Sequence, residues 1–293
     1  MFQLAVAIST VQFISSCVVH IKNFKYTTQQ MQDIFTSSAT KSLDSSSGWS
    51  ARRSPVFSQH GCVASSQPLA TAAGIEILRR GGTAADAAIA VASALAVTEP
   101  CSTGLGGDYF LLYYDAETRQ VEAINGSGRS AGSLTYERAV AEAGRSEVSA
   151  ASLDSEHAHC VTVPGAVRGW EDTITKYGVL SMEENLSQAV EIAERGFPVA
   201  PVTADLWEKL AHKQLVRWCD SGAKVSPLEL LVKDKEAPQG MRAPRAGEVF
   251  KRPNVARVLR EISLHGANAF YQEDGWITKS LVGLSAALTA AGY

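Results

Sequence analysis

Apolar residues recur at helical spacing in residues 68–82. Leu69, Ala73 and Ile77 fall on one stripe of a helix with 3.6 residues per turn. Pro68 is favourable at a first helical position, and the glycine pair at 81–82 is typical of a helix end. The pattern predicts a short amphipathic helix.

The next stretch, residues 83–100, is apolar on every face because it is almost entirely alanine. Thr83 is a favourable N-cap, Asp86 follows three residues later, and Pro100 ends the run. Small side chains let a helix lie close to its neighbours, so we expect this helix to be buried. A membrane span is the competing interpretation, but the run is shorter than the 20 or so residues that a span needs.

Two strand-like runs, "YFLLYY" and "VEAI", flank the polar segment "DAETRQ" within residues 109–124. β-Branched and aromatic residues around a polar turn predict a β-hairpin. The first run is so apolar that we expect the hairpin to be covered on both faces.

Helical patterns return in the second half of the chain. "SMEENLSQAVEIAERGFP" has a capping box of Ser181 and Glu184 and a stop at Gly196. "PNVARVLREISLHG" repeats this arrangement from Pro253, and "TKSLVGLSAALTAAG" predicts a last helix. Residues 220–252 are rich in proline and charge and are expected to be loops.

The N-terminal residues differ from the rest of the chain. Residues 2–19 are apolar but are interrupted by polar side chains, and no basic residues precede them. A signal peptide or a membrane anchor over residues 2–20 stays open, and otherwise a cytoplasmic protein is expected. Residues 36–50 are rich in serine and resemble a disordered linker. We therefore divide the chain into residues 1–50 and a folded region over residues 51–293.

Composition narrows the function classes. A formal net charge of -3 gives no electrostatic reason for nucleic-acid binding. The five scattered cysteines form no C-x-x-C pair, so we interpret them as free thiols. His157 and His159 lack nearby partners for a metal ligand set and are expected to be surface residues. We expect no metal.

Glycines cluster in "GLGGDY" and in "GSGRSAG". The second cluster follows a strand, and its glycines at 126, 128 and 132 resemble a pyrophosphate-binding turn, with Glu147 near the position of a ribose ligand. Such a turn must follow a parallel strand, whereas a hairpin is predicted here. Dinucleotide binding is therefore a distant alternative.

Residues 60–132, from "HGCVASSQPLATAAG" to "NGSGRSAG", resemble the N-terminal signature of the gamma-glutamyltransferase family, also called glutathione hydrolases. The resemblance continues through "VTVPGAVRGW", "AVEIAERGFPVAP" and "PNVARVLREISLHGANAFY", and it covers the chain from about residue 53 onward. The string "GSGRS" is similar to the YwrD-like branch of glutathione hydrolase-like proenzymes.

The resemblance implies an α+β fold, the four-layer α-β-β-α sandwich of the N-terminal nucleophile hydrolases, of which this chain is similar to the large subunit only. It implies a γ-glutamyl substrate such as glutathione, a small subunit from the same proenzyme, and no cofactor. The nucleophile of the family is the threonine that begins the small subunit. No matching string occurs in these 293 residues, so we expect no catalytic residue in this chain. A catalytically silent remnant, acting as a binding or interaction module, and a gene model cut short of a proenzyme are the alternatives.

One site residue transfers by the resemblance. Arg129 matches the arginine that binds the substrate α-carboxylate, and a guanidinium offers a carboxylate two parallel donors. Ser130 stands where better-known members have glutamate, which leaves donor and acceptor preference open. Gly104, Gly106 and Gly107 are interpreted as structural, because small residues let the chain turn into a central strand. Lining of the substrate cleft is the alternative role for them.

Overall fold

The computed structural model of the chain describes residues 3–8, 56–142, 158–221, 227–237 and 240–272, together with 275, 277 and 279. Their mixture of helices and antiparallel sheets is an α+β fold, as expected. The α-helices are α1 (Pro68–Arg79), α2 (Ala84–Thr98), α3 (Tyr136–Glu142), α4 (Ala166–Tyr177), α5 (Met182–Arg195), α6 (Pro201–Ser221), α7 (Pro253–His265) and α8 (Asn268–Tyr271). The strands are β1 (Gln3–Ile8), β2 (Tyr109–Asp115), β3 (Gln120–Gly126), β4 (Phe197–Pro198), β5 (Val232–Lys233), β6 (Met241–Arg242) and β7 (Val249–Phe250).

Helix α2 is the centre of the core. All 15 of its residues are buried, which confirms the prediction from its alanine content. Its small side chains allow close neighbours, since a Cβ on Gly74 of α1 would lie 2.7 Å from Val91 Cγ2 of α2. The capping box predicted for Thr83 and Asp86 is present. The predicted bounds of α1, α5 and α7 are confirmed as well.

Asp86 connects α2 to the turn between α4 and α5. Its side chain is fully buried and accepts hydrogen bonds from Thr83 N at 2.8 Å, Val179 N at 3.0 Å and Asn185 Nδ2 at 3.0 Å. A buried carboxylate is tolerated only when several donors satisfy it. This residue therefore fixes three segments of the chain to one another.

The predicted hairpin forms from β2 and β3, but the expectation of cover on both faces is wrong for the described residues. Tyr109, Leu111 and Tyr113 of β2 are buried on one face. On the other, Leu112 is 49% exposed, and on β3 Val121 is 63% exposed. The described helices cover only one face of the hairpin, so apolar side chains of β2 on the other face stay exposed.

Strand β1 pairs antiparallel with β2, from Gln3 opposite Asp115 to Ile8 opposite Phe110, and the sheet order is β1-β2-β3. Residues 3–8 thus form an edge strand of this sheet. The rest of the 2–20 range lies outside the described residues, as does the serine-rich stretch. Among the described helices none has both the length and the apolar content to span a bilayer.

Some of the remaining predictions are wrong, and one lies almost entirely outside the described residues. The range 220–252, expected to be loops, contains the short strand pair β5–β6 and also β7, which pairs with β4 outside this range. Helices α3, α4 and α6 were not predicted. The last helix, expected over residues 278–292, lies almost entirely outside the described part of the chain.

Replacing Asp86 with alanine is expected to lower the free energy of unfolding by about 3 kcal/mol, because Val179 N and Asn185 Nδ2 would be left without a buried acceptor. Urea denaturation measures this change. The control is Asp205→Ala on α6, whose carboxylate pairs with Lys209 at the surface. Equal stabilities of the two variants would contradict the role of Asp86.

Candidate functional site

A cleft of about 430 Å³ lies where the end of β3 meets the start of α4. Its walls come from residues 124–129, from residues 163–169 and from Tyr271. The lining residues are Ile124, Asn125, Gly126, Ser127, Gly128, Arg129, Val163, Pro164, Gly165, Arg168, Gly169, Asp172 and Tyr271.

Two backbone segments cross in contact at the base of this cleft. A Cβ on Gly165 would lie 1.8 Å from Gly126 O, and a Cβ on Gly128 would lie 1.9 Å from Val163 O. No side-chain carbon fits at such distances, so the crossing requires glycine at both positions. Of the three glycines that sequence analysis compared with a phosphate turn, Gly128 is therefore needed for backbone packing, whereas a Cβ on Gly132 would meet no described atom within 4 Å.

The earlier glycine cluster holds the crossing in place. Gly107 O accepts hydrogen bonds from Gly165 N and Ala166 N, both at 3.0 Å. Asp108 Oδ1 accepts from Gly128 N at 2.8 Å and from Thr162 Oγ1 at 3.2 Å. The turn thus satisfies the first amide groups of α4 and orients the segment that carries Arg129.

Gly107 has a structural role through its backbone oxygen, and the interpretation of Gly104 and Gly106 as structural stays a prediction. A Cβ on Gly104 or Gly106 would meet no described atom within 4 Å, and neither residue has a positive φ. Neither lines the cleft. Steric crowding in the described structure therefore gives no reason for glycine at these two positions.

Arg129 lies on the wall of the cleft with an exposed side chain. Its backbone oxygen accepts a hydrogen bond from Val163 N at 3.0 Å, which fixes the main chain. Its guanidinium has neither a hydrogen bond nor an ion pair to any residue that the structure describes. The neighbouring Ser130 is also exposed, so no carboxylate from that position neutralises the arginine.

A second cation, Arg168, lines the same cleft from the first turn of α4. Its Nη2 donates to Asn268 Oδ1 at 2.9 Å, its Nη1 donates to Glu171, and its guanidinium lies 5.7 Å from the centre of the Tyr271 ring. The Tyr271 hydroxyl donates to Pro164 O at 2.8 Å and accepts from Arg168 N at 3.2 Å. Burial raises the pKa of Tyr271, which keeps this hydroxyl protonated as a donor.

Sequence analysis did not identify Arg168, Asp172 or Tyr271 as site residues. Arg168 and Asp172 are spaced i, i+4, which places them on one side of a helix, but no pattern in the sequence connects them to Arg129 or to Tyr271. Only the crossing of β3 and α4 brings these side chains together.

The other chemical expectations have different outcomes. Cys62, Cys101 and Cys160 are not disulfide-bonded, and the remaining two cysteine side chains are not among those described. His159 is not a surface residue, because its side chain is 13% exposed and Nε2 lies 2.6 Å from Glu142 Oε2. His157 lies outside the described residues. The described side chains contain no group of three or more histidine, cysteine, aspartate or glutamate residues arranged to hold a metal ion.

Dinucleotide binding, the distant alternative, does not fit the observed turn. Strand β3 runs antiparallel to β2, and the first described helix after Gly132 begins only at Tyr136 and not directly at the turn. A dinucleotide turn instead joins a parallel strand directly to a long helix. Glu147 lies outside the described residues.

Comparison with known proteins decides the family. A family model described as gamma-glutamyltranspeptidase matches residues 70–290. The chain belongs to the gamma-glutamyltranspeptidase family. It is 36% identical over 217 residues to the glutathione hydrolase-like YwrD proenzyme of Bacillus subtilis (strain 168), covering 72% of this chain and 37% of that protein. This agrees with the branch that the "GSGRS" string indicated.

Solved structures of similar proteins support the same assignment. Cephalosporin acylase from Bacillus halodurans is 35% identical with a TM-score of 0.67, and the match covers 84% of this chain and 44% of that one. Helicobacter pylori gamma-glutamyltranspeptidase is 26% identical with a TM-score of 0.66, covering 78% of this chain and 60% of that one. The glutathione hydrolase proenzyme of the same Bacillus subtilis strain is 31% identical to this chain, and the match covers 33% of that protein. The chain therefore spans only about a third of the length of these two relatives.

Replacing Gly128 with alanine is expected to lower the free energy of unfolding by about 2 kcal/mol or more, because the new Cβ would overlap Val163 O. Gly132→Ala is the matched control, since a Cβ there meets no described atom within 4 Å. Thermal unfolding measures the stability of both variants. Hydrogen exchange of residues 126–130 and 162–166 measures local opening at the crossing. Faster exchange in both variants, or in neither, would contradict the assigned contact.

Proposed function

We propose that this chain is the large-subunit part of a γ-glutamyl-cleaving hydrolase or transferase of the glutathione type. The observation that carries the proposal is the guanidinium of Arg129, exposed on the cleft wall and without an acidic partner among the described residues. A cation held by a fixed main chain and open to solvent is suited to bind an anionic ligand.

Arg129 binds the α-carboxylate of the γ-glutamyl group in this proposal. Two parallel N–H donors of a guanidinium match the two oxygens of a carboxylate, whereas a lysine would offer a point charge. Ser130 leaves the arginine without an adjacent acid, so its full charge acts on the substrate. Donor and acceptor preferences therefore differ from those of members with glutamate at this position.

The nucleophile is supplied by a small subunit. The relatives are about three times as long as the matched region. We assign the nucleophile, the threonine that begins the family's small subunit, to the part of the relatives that this chain does not match. That threonine attacks the γ-glutamyl amide with its own α-amine as base, so the reaction needs no metal or organic cofactor. Backbone N–H groups of the small subunit stabilise the tetrahedral intermediate.

The small subunit also completes the four-layer sandwich. Leu112 and Val121 expose apolar surface on the hairpin face that described helices leave open. Apolar sheet faces of this kind pack against a second sheet at about 10 Å. We propose that the small subunit supplies that sheet.

Acylase activity on amides other than γ-glutamyl compounds is the second candidate, because a cephalosporin acylase structure is 35% identical to this chain. A silent remnant that keeps only the binding site is the third. The free guanidinium of Arg129 favours a substrate with a carboxylate at that point. Sequencing the transcript past the codon for Tyr293 tests the remnant, which requires a stop codon there.

Arg129→Lys, in the chain reconstituted with a small subunit, is expected to raise KM for a γ-glutamyl anilide at least about tenfold, since the paired donors are lost. Steady-state kinetics measure this. The control is Arg138→Lys, an exposed arginine that pairs with Glu142 away from the cleft. An unchanged KM in Arg129→Lys would exclude Arg129 as the anchor, and an equal loss on an acyl amide without the α-carboxylate would favour the acylase candidate.

The 293-residue chain alone is expected to show no hydrolysis of γ-glutamyl anilide, because the nucleophile is assigned to the other subunit. The exposed hairpin face should also cause self-association, which light scattering during size exclusion measures. Measurable turnover by the isolated chain would show that the nucleophile is assigned to the wrong subunit. A stable monomer would show that the open face needs no partner.

A further inference from the structure

The cleft holds more charge than the α-carboxylate of a γ-glutamyl group requires. Three charged side chains line it, the cations Arg129 and Arg168 and the anion Asp172. Asp172, like Arg129, has neither a hydrogen bond nor an ion pair to a described residue. The cleft therefore offers two positive groups and one negative group to a ligand.

Arg168 is held in a fixed orientation by three residues of two segments. Glu171 Oε1 is occupied by Ala267 N at 2.9 Å, and its other oxygen accepts from Arg168. Asn268 Oδ1 accepts from Nη2, and the Tyr271 ring packs against the guanidinium. A cation held in this way loses little side-chain entropy when it binds a ligand.

These contacts leave donors of Arg168 unused. A guanidinium carries five N–H groups. Glu171 and Asn268 accept one each, so three have no acceptor among the described residues, and the side chain is 45% exposed at the cleft. The guanidinium can therefore bind a carboxylate without losing either of its protein partners.

We propose that Arg168 binds a second carboxylate of the substrate, so that the site selects γ-glutamyl peptides with a free C-terminal carboxylate over γ-glutamyl amides or esters that lack it. The proposal rests on the proposed function, since Arg129 takes the first carboxylate. Such a peptide carries two carboxylates and one ammonium, which complement the two arginines and Asp172. Arg168 is thus a specificity residue, distinct from the nucleophile.

Glutathione and its glycine monoethyl ester test this directly, because they differ only in the second carboxylate. Isothermal calorimetry measures both dissociation constants on the chain reconstituted with a small subunit whose nucleophilic threonine is replaced by alanine, so that neither compound is hydrolysed. We expect glutathione to bind about fivefold more tightly than the ester. In Arg168→Gln this ratio is expected to fall to about one, with little change in affinity for the ester.

Arg260→Gln is the matched control, since Arg260 is exposed to a similar extent and pairs with Glu194 away from the cleft. It should keep the fivefold ratio. If Arg168 acted only through its hydrogen bond to Asn268, Arg168→Gln would weaken binding of both ligands equally. An unchanged ratio of the two dissociation constants in Arg168→Gln therefore overturns the proposal. If Arg168→Gln fails to fold by circular dichroism, Arg168→Lys replaces it, and its ratio should fall to about twofold.

The outcomes separate this inference from the proposed function. Equal affinities of the unaltered chain for glutathione and its ester overturn the inference and leave the γ-glutamyl site intact. Binding of neither compound overturns both. An Arg129→Lys variant that weakens both ligands alike, while Arg168→Gln changes only their ratio, supports both assignments.

Discussion

The crossing of the β3 end over the start of α4 is the constraint on which the candidate site depends. Gly126 meets Gly165 and Gly128 meets Val163 at distances that admit no side-chain carbon. Backbones this close cannot slide past one another without a clash, so the positions of the two segments are coupled. Arg129 leaves one segment and Arg168 the other. The crossing thus fixes the relative positions of the two main-chain segments that carry these cations.

Helix α4 is held at both ends, which makes the crossing rigid. At its start, Gly107 O accepts from Gly165 N and Ala166 N. Beyond its end, Val179 N donates to the buried Asp86, and a Cβ on Gly178 would lie 2.5 Å from Asp86 Oδ1. The fully buried helix α2, which carries Asp86, therefore positions the cleft from a distance. Stability of the core and geometry of the site are linked through one carboxylate.

Local signals predicted much of the fold, and contacts between distant segments account for what they missed. Capping residues and apolar spacing were enough for α1, α2, α5 and α7, because a helix makes its hydrogen bonds within its own segment. Helix α4 has Gly165 as its N-cap, which provides no side-chain hydrogen bond. The helix was missed because Gly107, far away in sequence, accepts from Gly165 N and Ala166 N at its start. Strand β1 was missed for the same reason, because its partner is distant.

The candidate site likewise combines a residue that the sequence identified with residues that only the fold brings together. Arg129 was found because its surroundings resemble a known family, whereas Arg168 and Tyr271 needed the folded backbone to bring them to the cleft. The structural role predicted for Gly104 and Gly106 stays a prediction, since a Cβ on either would meet no described atom within 4 Å. Glycine content alone does not indicate which carbonyl a Cβ would meet.

The pairing of β1 with β2 has a consequence for how the chain is made. Its paired residues are on the order of a hundred positions apart, whereas β2 and β3 are joined by a short turn. A ribosome adds roughly 5 to 20 residues per second, so residues 3–8 emerge about 5 to 20 seconds before their partner strand exists. During that interval an apolar strand has no sheet to join. Folding of this protein therefore depends on what the emerging chain meets before the hairpin forms, which makes chaperone access during translation important for its yield.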